Sequence, residues 1–175
     1  MKYSDLYRLT GKSTRWASIF AYLRYPEYRY LVRLRRFQSG KMHQWARLLL
    51  KCSTNQTHIE IGWRTKLGDG LLLIHPCGIA INNECVIGEN FTIYGGATIG
   101  MEFRGERRGC PKIGNKVWVG ANAAIVGNIT IGDDVLIAPN AFVNFDVPSH
   151  SVVVGNPGKI VTKENATENY IIHPI

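Results

Sequence analysis

The sequence predicts a mainly β chain: a parallel β-helix of six-residue repeats preceded by a short α-helical segment. Three observations carry this. Aliphatic residues recur at Ile61, Leu67, Leu73 and Ile79, at Ile87, Ile93 and Ile99, and at Ile113, Val119, Ile125, Ile131, Ile137 and Val143; every step is six residues except two. Glycine often follows the aliphatic residue, as at Gly62, Gly68, Gly88, Gly100, Gly114, Gly120 and Gly132, where a turn is expected. Four positions after the aliphatic residue stands a second buried-type side chain, such as Ala97, Val117, Ala123, Ile129, Val135 or Ala141. Amphipathic helices repeat at about 3.6 residues and exposed strands at about 2, so a sustained period of six matches neither and reads as a solenoid. Each short strand gives an aliphatic side chain to one continuous column, and stacked coils satisfy one another's backbone hydrogen bonds.

Upstream, the periodicity is helical. Pro26 and Glu27 suit a first turn, Tyr30, Leu31, Leu34 and Phe37 form an apolar stripe, and Ser39-Gly40 interrupts it. Met42, Trp45, Ala46 and Leu49 repeat the pattern before the polar run Ser53-Thr54-Asn55-Gln56, which reads as a linker. The expected division is a basic helical segment at 1–56, the β-helix at 57–163 and a tail at 164–175 with no assigned role.

A chain of 175 residues, 45% hydrophobic, holds one core with an appendage. Residues 1–55 carry twelve Lys/Arg against Asp5 and Glu27, a net +10, whereas residues 56–175 carry nine against eleven, a net −2. Such a segment can meet nucleic acid, anionic lipid or an anionic polymer, and solvated helix faces are also basic, so charge alone names no partner. Cys52, Cys77, Cys85 and Cys110 contain no C-x-x-C pair and no matching histidine spacing, so reduced thiols and no metal site are expected. The apolar run from Trp16 to Leu23 ends at Arg24 and is too short for a bilayer span, which needs about 20 residues.

The two long steps mark loops, because the coil circumference is fixed. Ile79 to Ile87 holds two extra residues, and Ile99 to Ile113 holds eight. The longer excursion, Met101 to Pro111, is charged and glycine-containing, and is expected on the acceptor side of a site.

Lys66-Leu-Gly-Asp-Gly-Leu-Leu-Leu-Ile-His75, Ile87-Gly-Glu-Asn-Phe-Thr-Ile-Tyr94, Ala97-Thr-Ile-Gly100, Val117-Trp-Val-Gly-Ala121, Asp146-Val-Pro-Ser and Val154-Gly-Asn-Pro-Gly-Lys159 resemble the left-handed β-helix acyltransferases, most closely the serine acetyltransferase branch. The resemblance covers roughly 59–163. It implies a left-handed coil, acetyl-CoA as donor, no metal and a homotrimer. It also implies that His75 is the general base and Glu60, fifteen residues earlier, the carboxylate that orients it. A positioned base of this kind supplies about 10²–10⁴ in rate. The pantetheine arm is expected near Gly100, Met101, Ala121 and Pro139, and the nucleotide phosphate near Lys159.

Two departures bear on the acceptor. The branch carries Asp immediately before this histidine, where this chain has Ile74, and an Arg-His pair at the end of the long loop, where it has Gly109-Cys110. Those groups engage free serine. Their replacement turns the expectation toward a sugar hydroxyl of a capsular or other surface polysaccharide or its precursor, anionic glycans included, approached by Arg104, Arg107, Arg108 and Cys110. The basic N-terminus then suits the glycan or the inner face of a membrane, with no nucleic acid involved and a cytoplasmic location. Serine O-acetylation and a non-catalytic scaffold binding an anionic partner are the alternatives. Cys110 has no activating base and is read as a lost histidine rather than a nucleophile.

Overall fold

The computed structural model describes residues 3–40 and 44–175, and side chains other than those of residues 41–47. The six-residue repeats form short strands that pair in parallel with the strand one coil away, giving three sheets. Sheet A stacks β1 (Ile59–Ile61), β4 (Ile79–Ile81), β7 (Thr98–Gly100), β10 (Ala124–Val126) and β13 (Phe142–Val143). Sheet B stacks β2 (Lys66–Leu67), β5 (Val86–Ile87), β8 (Lys112–Ile113) and β11 (Thr130–Ile131). Sheet C stacks β3 (Leu72–Ile74), β6 (Thr92–Tyr94), β9 (Trp118–Val119), β12 (Val135–Ile137) and β14 (Ser151–Val154), and ends in the antiparallel β15 (Lys159–Thr162).

Ile61, Ile81, Ile99, Ile125 and Val143 are successive register partners in sheet A, and Leu73, Ile93, Val119, Ile137 and Val153 in sheet C. All ten are buried in the same interior column. Each such side chain taken from water contributes about 1.5–3 kcal/mol, which explains why the six-residue phase is kept. Six of the seven glycines that follow an aliphatic residue of the repeat, all but Gly100, answer to packing rather than to a turn. A β-carbon on Gly68 would lie 2.5 Å from the carbonyl carbon of Gly88, and one on Gly62 2.5 Å from the Cα of Asn83. The next coil sits directly on the glycine.

The structure moves the first interruption. Ile79 pairs with Ile59, and Ile81 is the residue that pairs with Ile61 and Ile99. The two extra residues therefore lie between Leu73 and Ile81, in the corner His75-Pro76-Cys77-Gly78, where the next coil turns with Gly95-Gly96 alone. The expected position, between Ile79 and Ile87, is incorrect because both inward positions of a hexad accept isoleucine. The longer interruption is as expected: it leaves the coil between β7 and β8, and Glu102 and Gly109 pair at its base through N–O distances of 3.0 and 2.9 Å.

Among the described residues four helices precede the coils rather than two: α1 (Ser4–Thr10), α2 (Arg15–Arg24), α3 (Pro26–Gln38) and α4 (Gln44–Thr57). Pro26 opens α3 as expected, and α3 buries Tyr30, Leu31 and Leu34. The Tyr30 hydroxyl accepts from the Ile61 amide at 2.9 Å, tying α3 to the first coil. The polar run Ser53–Gln56 is helix, not linker: Ser53 and Thr57 hydroxyls donate to the Leu49 and Ser53 carbonyls, each one turn back. Met42 of the expected second stripe lies outside the described residues, and Trp45 and Ala46 outside the described side chains.

The tail is a strap over sheet C. Asp134 accepts from the amides of Ala166 and Thr167 at 2.9 and 3.0 Å and from the Thr167 hydroxyl at 2.6 Å. Tyr170 stacks edge-on against Trp118 at 5.2 Å, and Ile175 exchanges two hydrogen bonds with the Asn90 side chain. Arg8 of α1, fully buried, closes the seam by donating to the carbonyls of Gly70 and Ile172 and to the Thr92 hydroxyl. Burial pushes this guanidinium down to about 10.

Candidate functional site

The site is built where sheets C and A meet. Residues at this corner stack coil upon coil: the Gly78 amide donates to His58, Gly96 to Cys77, Asn122 to Gly95 and Asn140 to Ala121. In the first coil the corner is longer by two residues, and His75 opens it. His75 is exposed and holds the left-handed backbone conformation at φ 46°. Its carbonyl accepts from the Cys77 amide at 2.8 Å, and its ring stands 6.4 Å from that of Tyr94 one coil above. Tyr94 in turn packs on Trp118 at 4.9 Å, so the histidine begins a row of aromatic rings.

Glu60 is the middle residue of β1 and points to solvent from the outer face of sheet A. Its column continues as Ala80, Thr98, Ala124 and Phe142. Two clefts share this face. One, of about 430 Å³, lies under α3 and α4 and is lined by Tyr30, Leu50, Glu60, Ala80, Thr98 and Gly100. The other, of about 480 Å³, is lined by Thr54, His58, Glu60, Gly78 and Ala80. Glu60 and Ala80 belong to both. His75 stands three residues before Gly78, in the same corner, and lines neither cleft. Among the described residues no hydrogen bond or ion pair joins Glu60 to His75, so the expected orienting contact is not formed in this conformation.

The expected donor residues fall on the two borders of sheet A. Ala121 and Pro139 stack on the same corner as His75, with a Cβ on Gly120 lying 2.5 Å from the Pro139 nitrogen. Gly100 ends β7 on the opposite border and faces the first cleft. Met101 is partly buried and packs against the interior column. Lys159 is exposed at the start of β15, beside Gly158, whose amide donates to the Phe142 carbonyl at the top of sheet A. Small or glycine positions along both borders and one cation beyond the last coil fit a long thioester arm ending in phosphates.

The long loop presents Arg104, Arg107 and Arg108 to solvent, and Phe103 is 73% exposed. Cys110 is the exception and corrects the expectation that it faces an acceptor. It is buried and its thiol meets the Asn82 side-chain oxygen at 3.3 Å. Burial pushes both Cys110 and its neighbour Cys85 up, Cys85 to about 12, so neither is a thiolate near neutral pH. Gly109 holds φ 133°, and a Cβ there would meet Asn128 at 3.0 Å, so the loop's backbone does not receive an arginine at this position without rearrangement.

Of the other histidines, His150 pairs with Asp134 at 2.9 Å, His173 stacks on Tyr7 at 5.8 Å, and His43 lies outside the described residues. His58, exposed where α4 meets β1, lines the second cleft with Glu60; no motif marked it. Among the described residues, no group of three or more His, Cys, Asp or Glu side chains is placed to hold a metal ion.

Residues 110–144 match the family model described as bacterial transferase hexapeptide (six repeats). Serine acetyltransferase of Helicobacter pylori is 42% identical over 121 residues, which cover 68% of this chain and 70% of that one. This chain belongs to the hexapeptide-repeat transferase family, in its serine acetyltransferase-like branch. The crystal structure of Brucella abortus serine acetyltransferase in complex with coenzyme A is similar with a TM-score of 0.67 and 29% identity, covering 77% of this chain and 54% of that one. That of Neisseria gonorrhoeae serine acetyltransferase in complex with serine gives 0.70 and 32%, covering 90% and 66%. The chain thus spans less than two thirds of either solved family member. Among the described residues no helix is long and apolar enough to cross a membrane.

Proposed function

We propose that the chain is an acetyl-CoA-dependent O-acetyltransferase with His75 as general base and serine as its first-choice acceptor. The observation that carries this is the exposed His75 in the longer corner between sheets C and A, on which the small-residue track of Ala121 and Pro139 also stacks. Bound acetyl-CoA would supply the electrophilic thioester carbonyl. The imidazole would take the proton from the acceptor hydroxyl as that oxygen attacks; the thioester C–S bond would then break, and the imidazolium would return the proton to the leaving coenzyme A sulfur. Glu60, exposed and free to change rotamer, would orient the ring and stabilise the imidazolium. Gly100, Ala121 and Pro139 would let the pantetheine arm lie close, and Lys159 would face the nucleotide phosphates.

The acceptor expected from the sequence, a surface-polysaccharide hydroxyl, gains no support from these relatives, each of which is a serine acetyltransferase. It is kept as a second reading on one specific ground: Ile74 and Gly109-Cys110 replace the groups that the branch uses on serine, and Gly109 holds a backbone unsuited to arginine. Arg104, Arg107 and Arg108 would then meet an anionic glycan. In either case a homotrimer would cover the outer face of sheet A and close the clefts around Glu60.

Incubation with labelled acetyl-CoA and, separately, L-serine, neutral sugars and anionic polysaccharides decides the acceptor. O-acetylserine as the main product supports the proposal. Label in a glycan alone supports the second reading, and label in no acceptor contradicts both.

A further inference from the structure

Helix α2, Arg15-Trp-Ala-Ser-Ile-Phe-Ala-Tyr-Leu-Arg24, is packed inside out. Its packed side is three small residues and one tyrosine: Ala21 is fully buried, Ala17 and Tyr22 pack on the cluster of Leu6 and Tyr28, and the Ser18 hydroxyl lies 3.0 Å from that of Tyr28. Four large apolar residues face outward, with Trp16 80% exposed, Ile19 44%, Phe20 64% and Leu23 72%. At about 100° per residue these four fall within one arc of about 100°, opposite the packed side. Singly exposed apolar side chains are ordinary, but a contiguous stripe of four marks a surface that meets something.

Charge identifies the partner. On the same helical wheel Arg15 falls on one flank of the stripe and Arg24 on the other, and both are exposed, as is Lys12 just upstream. The helix contains no acidic residue. The Arg29 guanidinium donates to the Tyr22 and Leu23 carbonyls at 3.4 and 3.1 Å, so a further cation closes the C-terminal end. A second copy of α2 is a poor occupant. An antiparallel pair would set Arg15 against Arg24 of the other copy, and a parallel pair would set like against like. An apolar centre of Trp, Ile, Phe and Leu rimmed by arginines complements an anionic bilayer, with the rings in the interfacial layer and the guanidinium groups at phosphate level.

We propose that α2 is an interfacial helix that seats the protein on an anionic lipid surface through Trp16, Ile19, Phe20 and Leu23, with Arg15 and Arg24 on the headgroups. The seat is independent of which acceptor the site takes. It places the helix flat against the surface with the β-helix outside it.

The test is sedimentation of the full chain with vesicles of equimolar phosphatidylglycerol and phosphatidylcholine, and with vesicles of phosphatidylcholine alone. The variants are Trp16→Gln/Phe20→Gln/Leu23→Gln and Arg15→Gln/Arg24→Gln, each confirmed folded by its thermal transition, with light scattering of every sample. The expected result is binding to the anionic vesicles that weakens with added salt, falls at least about tenfold in the apolar variant and falls more modestly in the arginine variant. Three results would each overturn the proposal: no preference for anionic vesicles, undiminished binding by the folded apolar variant, or an apolar variant whose only change is a smaller oligomer. The last would make the stripe a contact between copies.

Discussion

The carbonyl oxygen of His75 occupies the place a side chain would need at Gly95: a β-carbon there would stand 2.1 Å from it. The second coil is glycine at this point because the first coil's longer corner leans over it. Gly95→Ala is therefore expected to displace the His75 corner and to lower acetyl transfer by at least about tenfold, since misplacement by about 1 Å is enough to cost that much. Rates measured at saturating acetyl-CoA, beside a melting curve showing the coils intact, check this. Unchanged turnover would show that the corner is not involved in the site.

Most glycines that follow an aliphatic residue are spacing devices, Gly100 excepted, and Gly68 is the cleanest instance because all its near neighbours are backbone atoms of Gly88 and Glu89. Gly68→Ala must push adjacent coils apart or bend one of them. Overpacking of this kind costs about 1–3 kcal/mol, to be read as a lowered midpoint in urea unfolding.

The strap over sheet C depends on Asp134 and His150. Burial raises Asp134, but hydrogen bonds from Thr167, His150 and Ala166 outweigh it and hold the carboxyl below its ordinary 3.8. Its contribution is in place above pH 3.8 and is lost as pH falls through the depressed value. His150, held above its ordinary 6.5 by the hydrogen bond to Asp134, contributes fully below 6.5 and less as pH rises through the raised value. Amide protons of Ala166 and Thr167 should therefore be best protected, relative to their intrinsic exchange, between pH 3.8 and 6.5. In Asp134→Asn the acid-side dependence should vanish, the His150 side should weaken to what Glu164 and Asp133 still contribute, and protection should fall at every pH.

The four thiols divide by burial. Cys52 and Cys77 are exposed, and Cys85 and Cys110 are buried with raised pKa values. An alkylating reagent applied to the native protein should modify two thiols quickly and two only on unfolding. Cys110→Ala should keep its acetyl-transfer rate, because this thiol faces Asn82 and not an acceptor.

The coils are legible in the sequence because every inward position must be apolar and every close approach must be small, so the repeat is visible residue by residue. Its register is not legible at Ile79 and Ile81: both inward positions of one hexad carry isoleucine, and only pairing with Ile59 and Ile61 tells them apart. Helix α2 is visible as an apolar run but not as a helix, since its packed side is mostly alanine and serine, with Tyr22 as its one large residue. The tail leaves no signal, because Asp134 and Thr167 meet across 33 residues through polar groups with no period. His75 is found through the residues around it, whereas its place in the longer corner is revealed only by the register.

The central claim is that His75 takes the proton from the acceptor hydroxyl. Its most direct test is the rate of coenzyme A thiol release by the protein and by His75→Gln, with saturating acetyl-CoA and the acceptor that the labelled panel selects. The predicted result is a fall of about 10²–10⁴ in turnover with the acetyl-CoA KM nearly unchanged. Equal rates from the two proteins would contradict it.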